Sequence, residues 1–292
     1  MKKLIAGVIM LFAGIAPTFA QNIKTQLLDI KPVNAIEVSS GIEVYIRKGP
    51  TDKLKIESNI DKLGNLSITQ KGKTLIIGYQ SGFNRGLSKK DLKTKIYFST
   101  EEICSISAAS AASVDCQGDF RTNIFRASAS SSADIEVLSI AANTIKVDAS
   151  SAAEIKLHAD AQDIKTSASS ASEIELKGKC SSLDCSASSA SDIELDLIAD
   201  NITIVASSSS DVKAAGECKV LQIKASSGSD VKTARLISEE ASVKASSGSD
   251  VTVHTRKAVD AHASSGADIR CSGNPASRNC NTSSGGSVKI EK

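Results

Sequence analysis

One seven-residue motif built from small residues and a single acid returns about every 19 residues through the last two-thirds of the chain. Clear copies read ASSSADI (Ala129 to Ile135), ASSGSDV (Ala225 to Val231, again Ala245 to Val251) and ASSGADI (Ala263 to Ile269). The acid falls at Asp134, Glu154, Glu173, Asp192, Asp211, Asp230, Asp250 and Asp268. Degenerate copies put Ser113 before this set and Ser287 after it. The successive steps are 21, 20, 19, 19, 19, 19, 20, 18 and 19 residues. A fixed period in this range marks a solenoid, in which each repeat buries its apolar side only against its neighbours.

With the acid as position zero, apolar or small residues fill −9, −7 and −5. Ile145, Val147 and Ala149 do so before Glu154, and Ile202, Ile204 and Ala206 before Asp211. Position +1 is always Ile or Val, and +3 is usually Leu or Val. This period-two alternation predicts strands with one buried face. The Ser, Ala and Gly residues from −4 to −1 predict a tight corner. Each repeat is expected to give a strand, a corner, a second strand and a looser return, with Gly178, Gly216 and Gly273-Asn274-Pro275 in the returns. The predicted fold is all-β, a right-handed parallel β-helix of about ten 19-residue rungs. At about 4.8 Å per rung the rod is about 45 Å long. An α-helix would send i, i+2 and i+4 to opposite sides and tolerates Ser-rich runs poorly. A left-handed hexapeptide helix needs three equal sides per turn, which the unequal steps do not supply.

Such a core is thin. The chain has no Trp and is 3% aromatic, so its interior must be built from Ala, Val, Ile and Leu. The Cys fit the inward columns that other rungs fill with apolar or small residues: Cys185 and Cys280 at −7, Cys116 and Cys271 at +3, Cys180 and Cys218 at +7, and Cys104 in the −9 column. They read as small buried fillers. Bridges Cys271–Cys280 and Cys104–Cys116 stay open across one rung, whereas Cys180 and Cys218 lie two rungs apart, too far for a disulfide.

The chain opens Met1-Lys2-Lys3, then an apolar run from Leu4 to Ala16, then Pro17-Thr18-Phe19-Ala20. Residues 1–20 read as a secretory signal peptide cut after Ala20; the apolar run is too short for a comfortable membrane span. Of 35 basic residues, losing Lys2 and Lys3 leaves 33, equal to the 33 acidic ones. That balance favours neither nucleic acid nor an anionic membrane as partner.

Residues 21–103 are read as an N-terminal β region that starts and caps the solenoid, with the repeats at 104–292. The N-terminal region alternates as strands do in Gly41-Ile-Glu-Val-Tyr-Ile46, Leu54 to Glu57, Leu66 to Ile68, Thr74 to Ile77 and Leu92 to Phe98. Gln80 to Lys90 reads as an exposed loop. The run Val38-Ser-Ser-Gly-Ile-Glu-Val-Tyr-Ile46 with its charged turn at Lys48-Gly49, the Leu66 to Ile77 hairpin, and the entry into Ser/Ala/Gly-Asp-Val/Ile rungs after residue 104 resemble the head GIN domain family of auto-transporter adhesin-like exported bacterial proteins. The resemblance covers nearly the whole chain beyond the leader. It implies a β-helical fold outside the inner membrane and a surface or adhesive role, and it supplies no catalytic residues.

The acid column has competing explanations. Stacked turns with Asp bind calcium in β-rolls, but those use a glycine-dense repeat of half this period. One acid per rung also gives a poor six- to eight-oxygen shell. The alternative is that each acid caps its own corner by accepting backbone N–H bonds. Repulsion between carboxylates about 5 Å apart in water is roughly 0.8 kcal/mol, and a hydrogen bond to a charged acceptor is worth roughly 1.5–3 kcal/mol. Capping is therefore the expectation. A Ser ladder at −4 and −3, such as Ser226-Ser227, lacks the Thr methyl groups of ice-ordering arrays. His158, His254 and His262 fall on scattered rungs, and no nucleophile elbow, phosphate loop or zinc-protease motif occurs.

The residues thus assign no catalytic, cofactor-binding or metal site and no cofactor. The expected function is an exported, non-catalytic adhesin or binding module, in the periplasm, at the outer-membrane surface or secreted. Its expected partner is an extracellular or envelope ligand, glycan or protein. The alternatives are a carbohydrate-active enzyme on the same scaffold and a structural envelope protein.

Overall fold

The computed structural model describes residues 23–51, 53–59, 65–80 and 93–291. The leader at 1–20 and the loop read from Gln80 to Lys90, apart from Gln80 itself, lie outside the described residues. Nineteen strands join in one sheet wound on itself, and no α-helix occurs among the described residues. None of it is a helix long and apolar enough to cross a membrane.

The N-terminal strands are β1 (Lys24–Asp29), β2 (Ala35–Ser39), β3 (Glu43–Lys48), β4 (Lys53–Ser58), β5 (Leu66–Lys71), β6 (Thr74–Tyr79), β7 (Thr94–Thr100) and β8 (Ser105–Ala109). Eight long strands follow, each running from one corner to the next: β9 (Ser113–Ser130), β10 (Asp134–Ser150), β11 (Glu154–Ser169), β12 (Glu173–Ala187), β13 (Asp192–Ala206), β14 (Asp211–Ala225), β15 (Asp230–Ala245) and β16 (Asp250–Ala263). The short strands β17 (Asp268–Ser272), β18 (Ser277–Thr282) and β19 (Ser287–Ile290) end the rod.

Every repeat pairs in parallel with the next, and like positions stack in register. Asp192 lies between Glu173 and Asp211, and Ala206 between Ala187 and Ala225. The result is a parallel β-helix with the 19-residue rung read from the sequence. Ile145, Ile164, Leu183, Ile202 and Leu221 form one buried column, and Ile155, Ile174, Ile193, Val212 and Val231 another.

Two features differ from the sequence reading. The return is strand rather than loop for most rungs, and its length variation is absorbed by bulges, as between Val137 and Ile140 or Thr233 and Ile237. Where a bulge breaks the ladder, buried hydroxyls take over. Thr233 Oγ1 donates to the Thr252 carbonyl at 2.8 Å, and Ser238 Oγ to that of His254 at 2.9 Å. The second difference is stacking order. β2 and β3 lie between β8–β9 on one side and β6–β7 on the other, so spatial order departs from chain order. Antiparallel pairings β1–β4–β7 and β5–β6 finish that end.

All seven Cys are free thiols, so the Cys104–Cys116 and Cys271–Cys280 bridges are not formed. Cys116, Cys185, Cys218 and Cys271 are buried as fillers; Cys104 and Cys180 are half-buried. Cys280 is exposed because its rung is the last and nothing described lies above it.

Each corner turns on two successive residues with positive φ. They are Ser and Ala or Ser in the earlier rungs, for example Ser189 (φ 55°) and Ala190 (φ 58°), and Ser-Gly in the later ones, such as Ser227-Gly228. A non-glycine residue in this left-handed region costs about 1–2 kcal/mol. Ala190→Gly is therefore expected to stabilise the fold by about 1 kcal/mol, against the usual sign for glycine. Gly216→Ala should do the opposite. Gly216 has φ +113°, and an added Cβ would sit 2.0 Å from the Leu197 carbonyl oxygen on the rung below. A loss of at least about 2 kcal/mol is expected in denaturant unfolding.

Candidate functional site

The corner is held together by backbone and by a buried hydroxyl. The N–H of the second left-handed residue donates to the carbonyl of the first one on the next rung, as from Ala190 to Ser208 at 3.1 Å and Ser209 to Ser227 at 3.0 Å. The acid's own N–H donates to the −1 carbonyl of the preceding rung, as from Asp211 to Ser191 at 3.0 Å. Position −1 points inward. In five consecutive rungs it is a buried serine: Ser172, Ser191, Ser210, Ser229 and Ser249. The Ser210 hydroxyl accepts from the Ser207 N–H at 3.1 Å and donates to the Ala187 carbonyl on the rung before at 3.0 Å. Ser172, Ser191 and Ser229 repeat both bonds.

The expectation that the acid caps the corner is thereby corrected. Among the described residues, none of the eight carboxylates accepts a backbone N–H; the −1 serine does that work from inside. The carboxylates point outward from exposed or half-exposed positions. Repulsion along the column is relieved by lysines two residues on, with Lys156 on Glu154 at 2.5 Å and Lys232 on Asp230 at 2.8 Å. In the next column Lys177 bonds Glu175 at 2.5 Å and holds its carboxyl below the usual range. Asp134 has its carboxyl raised, first by desolvation and then by the charge of Glu154.

The acid column is longer than the motif predicted. In register it runs Glu43, Ser113, Asp134 and on to Ser287, because Ser39-Ser40-Gly41 forms the same corner in front of Glu43. The missed signal was Ser-Ser-Gly-Ile-Glu-Val, whose acid follows the glycine at the motif's usual spacing.

Beside that end lies an aromatic cluster on the surface. Tyr45 and Tyr97, on neighbouring strands, stack with ring centroids 4.9 Å apart and planes 12° from parallel. Lys95 lies 5.5 Å from the Tyr45 ring centre and Lys55 5.5 Å from that of Tyr97. The Tyr45 hydroxyl donates to Glu43 at 2.8 Å, and Lys95 pairs with the same carboxylate at 3.1 Å. The Glu43 acceptor, then burial and the Glu43 charge, raise the Tyr45 pKa against the opposing pull of Lys95. Nothing in the amino-acid string joins Tyr45 to Tyr97, because they are 52 residues apart and meet only through the departure of stacking order from chain order.

A shallow depression of about 470 Å³ lies on the return side, where Ile198, Cys180 and Cys218 meet charged residues. Its ion pairs join successive rungs: Lys179–Asp160 at 3.2 Å and Lys219–Asp200 at 2.6 Å. Burial pushes the Cys180 thiol up to about 11 and that of Cys218 to about 12. Both are held protonated at neutral pH and are poor nucleophiles. The histidines are not brought together. His254 bonds Ser272 at 3.0 Å, His262 pairs with Asp260 at 3.0 Å, and His158 is exposed on another rung. Among the described residues no three His, Cys, Asp or Glu side chains are arranged to hold a metal ion.

What this geometry offers chemically is recognition over an extended surface: a column of outward carboxylates, flanking lysines, and exposed corner serines such as Ser189, Ser208 and Ser227 at a rung's spacing. One consequence concerns pH. Because the folded carboxyl of Asp134 titrates above its unfolded value, the folded chain binds that proton more tightly. Ionised Asp134 therefore opposes folding at neutral pH, and the penalty fades as pH falls through the raised pKa. Asp134→Asn should raise the melting temperature slightly at neutral pH and leave it unchanged in acid.

The sequence profile described as putative auto-transporter adhesin, head GIN domain, matches residues 32–180 and again 167–275. No curated protein matches the chain significantly. Among solved structures, a putative adhesin from Parabacteroides merdae superposes with a TM-score of 0.56 at 14% identity, covering 92% of this chain and 96% of its own. A putative adhesin from Parabacteroides distasonis gives 0.52 at 12% identity, covering 92% and 97%. At these identities the likeness speaks for the fold. The two profile matches together span most of the sequence, and the chain belongs to the family of putative auto-transporter adhesins with a head GIN domain.

Proposed function

We propose that this protein is an exported, non-catalytic adhesin-type binding module that meets a glycan or protein ligand outside the inner membrane. The leader-like residues 1–20 and the family support export. The observation that carries the binding role is the in-register outer face from Glu43 to Asp268, whose carboxylates are not spent on the corners. A column of like charge about 4.8 Å apart is maintained against roughly 0.9 kcal/mol of repulsion per neighbouring pair in water. Solvent-directed charge of this density, set on a rigid frame, suits a cationic or polyhydroxylated partner that spans several rungs. The Tyr45–Tyr97 stack extends the same face with planar apolar surface.

The test is a screen of the protein against immobilised glycans and matrix proteins, with and without calcium. At least one class should bind, and binding should weaken as salt is raised. Neutralising the middle of the column (Glu173→Gln, Asp192→Asn, Asp211→Asn, Asp230→Asn) should weaken that binding by about tenfold or more, roughly 1.4 kcal/mol, with the fold intact. Absence of binding to every class, or binding indifferent to the neutralised column, would contradict the proposal.

A further inference from the structure

We infer that a shallow basic groove on the face before the corner is a binding site separate from the acid column, and that it takes the ester sulfates of an acidic polysaccharide. Lys224 and Lys244 stand in register near the ends of β14 and β15, with Val205 on the rung before them and His262 on the rung after. Like positions on adjacent rungs are about 4.8 Å apart. Between the lysines and the corner, Ser226 and Ser246 form the next outward column. These six residues are among those lining a depression of about 360 Å³.

The positive charge here is not offset from within. Elsewhere on the same face lysines are paired, Lys146 with Asp148 at 3.0 Å and Lys165 with Asp184 at 3.6 Å. Lys224 and Lys244 are exposed and have no ion-pair partner among the described residues. Along their own strands the outward neighbours are Gln222, Ser226, Ser242 and Ser246, none of them charged. Asp260, in register with Ser242, is already engaged: it pairs with His262 Nε2 at 3.0 Å and accepts from Asn279 at 2.8 Å. Two ammonium groups and a row of hydroxyls meet a bound group from different directions, which suits the three free oxygens of a sulfate ester. A carboxylate offers two oxygens and is held best by the planar fork of arginine, which the groove lacks. A nucleic-acid phosphodiester also leaves only two. A lipid phosphate would need an apolar rim to reach the bilayer, but the corner beside the groove exposes Ser227, Ser247 and Ser265. The groove is open along three rungs and so takes an extended chain laid across the strands. Val205, 40% exposed, gives a sugar ring apolar surface at one end.

The experiment is titration calorimetry of the protein with dextran sulfate, with uncharged dextran, polyglutamate, single-stranded DNA and phosphatidylglycerol vesicles as parallel arms. Dextran sulfate is expected to bind at least about tenfold more tightly than any other arm, with an affinity that falls as salt is raised. Lys224→Gln combined with Lys244→Gln should weaken that binding by about tenfold or more, and Lys224→Arg with Lys244→Arg should retain it. Lys31→Gln with Lys71→Gln removes the same charge at the other end of the rod, where salt screens it from the groove, and should change the affinity by less than about twofold. Neutralising the acid column at Glu173, Asp192, Asp211 and Asp230 should not weaken this binding, so the two readings fail separately. No binding of dextran sulfate, equal binding of polyglutamate, DNA or the vesicles, or binding that survives Lys224→Gln with Lys244→Gln would overturn the inference.

Discussion

The structure depends on one repeated contact, the stacking of identical corners. Two residues in the left-handed region reverse the chain, and the N–H of the second reaches the carbonyl of the first on the next rung. This fixes the rung's register, and register fixes everything else, since a slip of one residue would turn every inward side chain out. A core of Ala, Val, Ile and Leu without Trp cannot enforce register by shape alone. The buried −1 serine adds a clamp at the centre of the rod, bonding its own rung and the one before. Where −1 is Ala112, Ala133, Ala153 or Ala267, the backbone bonds suffice.

The division of labour within the motif follows from this. Ala at −5 and Ile or Val at +1 are core; Ser at −3 is exposed corner; Ser at −1 is internal fastening. The acid's side chain is left with no hydrogen-bonding duty to the backbone among the described residues. A charge that repeats on eight rungs without holding them together is surface chemistry, keeping the outer sheet face solvated. The proposed binding role and the architecture thus use different residues of the same seven.

Much of this was legible in the sequence because a solenoid writes its structure once per turn. The period gave the rungs, and alternation around Asp211 or Asp230 gave the inward columns, including the places of Cys116, Cys185 and Cys218. Three things were not legible. Serines at −4, −3 and −1 look alike in a string, and only the direction of the side chain separates the buried Ser210 from the exposed Ser208. The strand character of the returns was hidden because bulges break the alternation at Val137 and Thr233. The neighbourhood of Tyr45 was hidden because β2–β3 inserts between turns made by later residues, so Tyr97 and Val114's strand flank a residue far from either in the chain.

The central claim is that the −1 serine, and not the neighbouring carboxylate, fastens the corner. It is tested most directly by comparing the thermal unfolding of Ser210→Ala and Asp211→Asn, two adjacent substitutions in one rung. Ser210→Ala removes two buried bonds and is expected to cost about 1 kcal/mol, a fall in melting temperature of about 2–4 °C. Asp211→Asn should leave the melting temperature unchanged or slightly higher. A large fall for Asp211→Asn with none for Ser210→Ala would contradict the account.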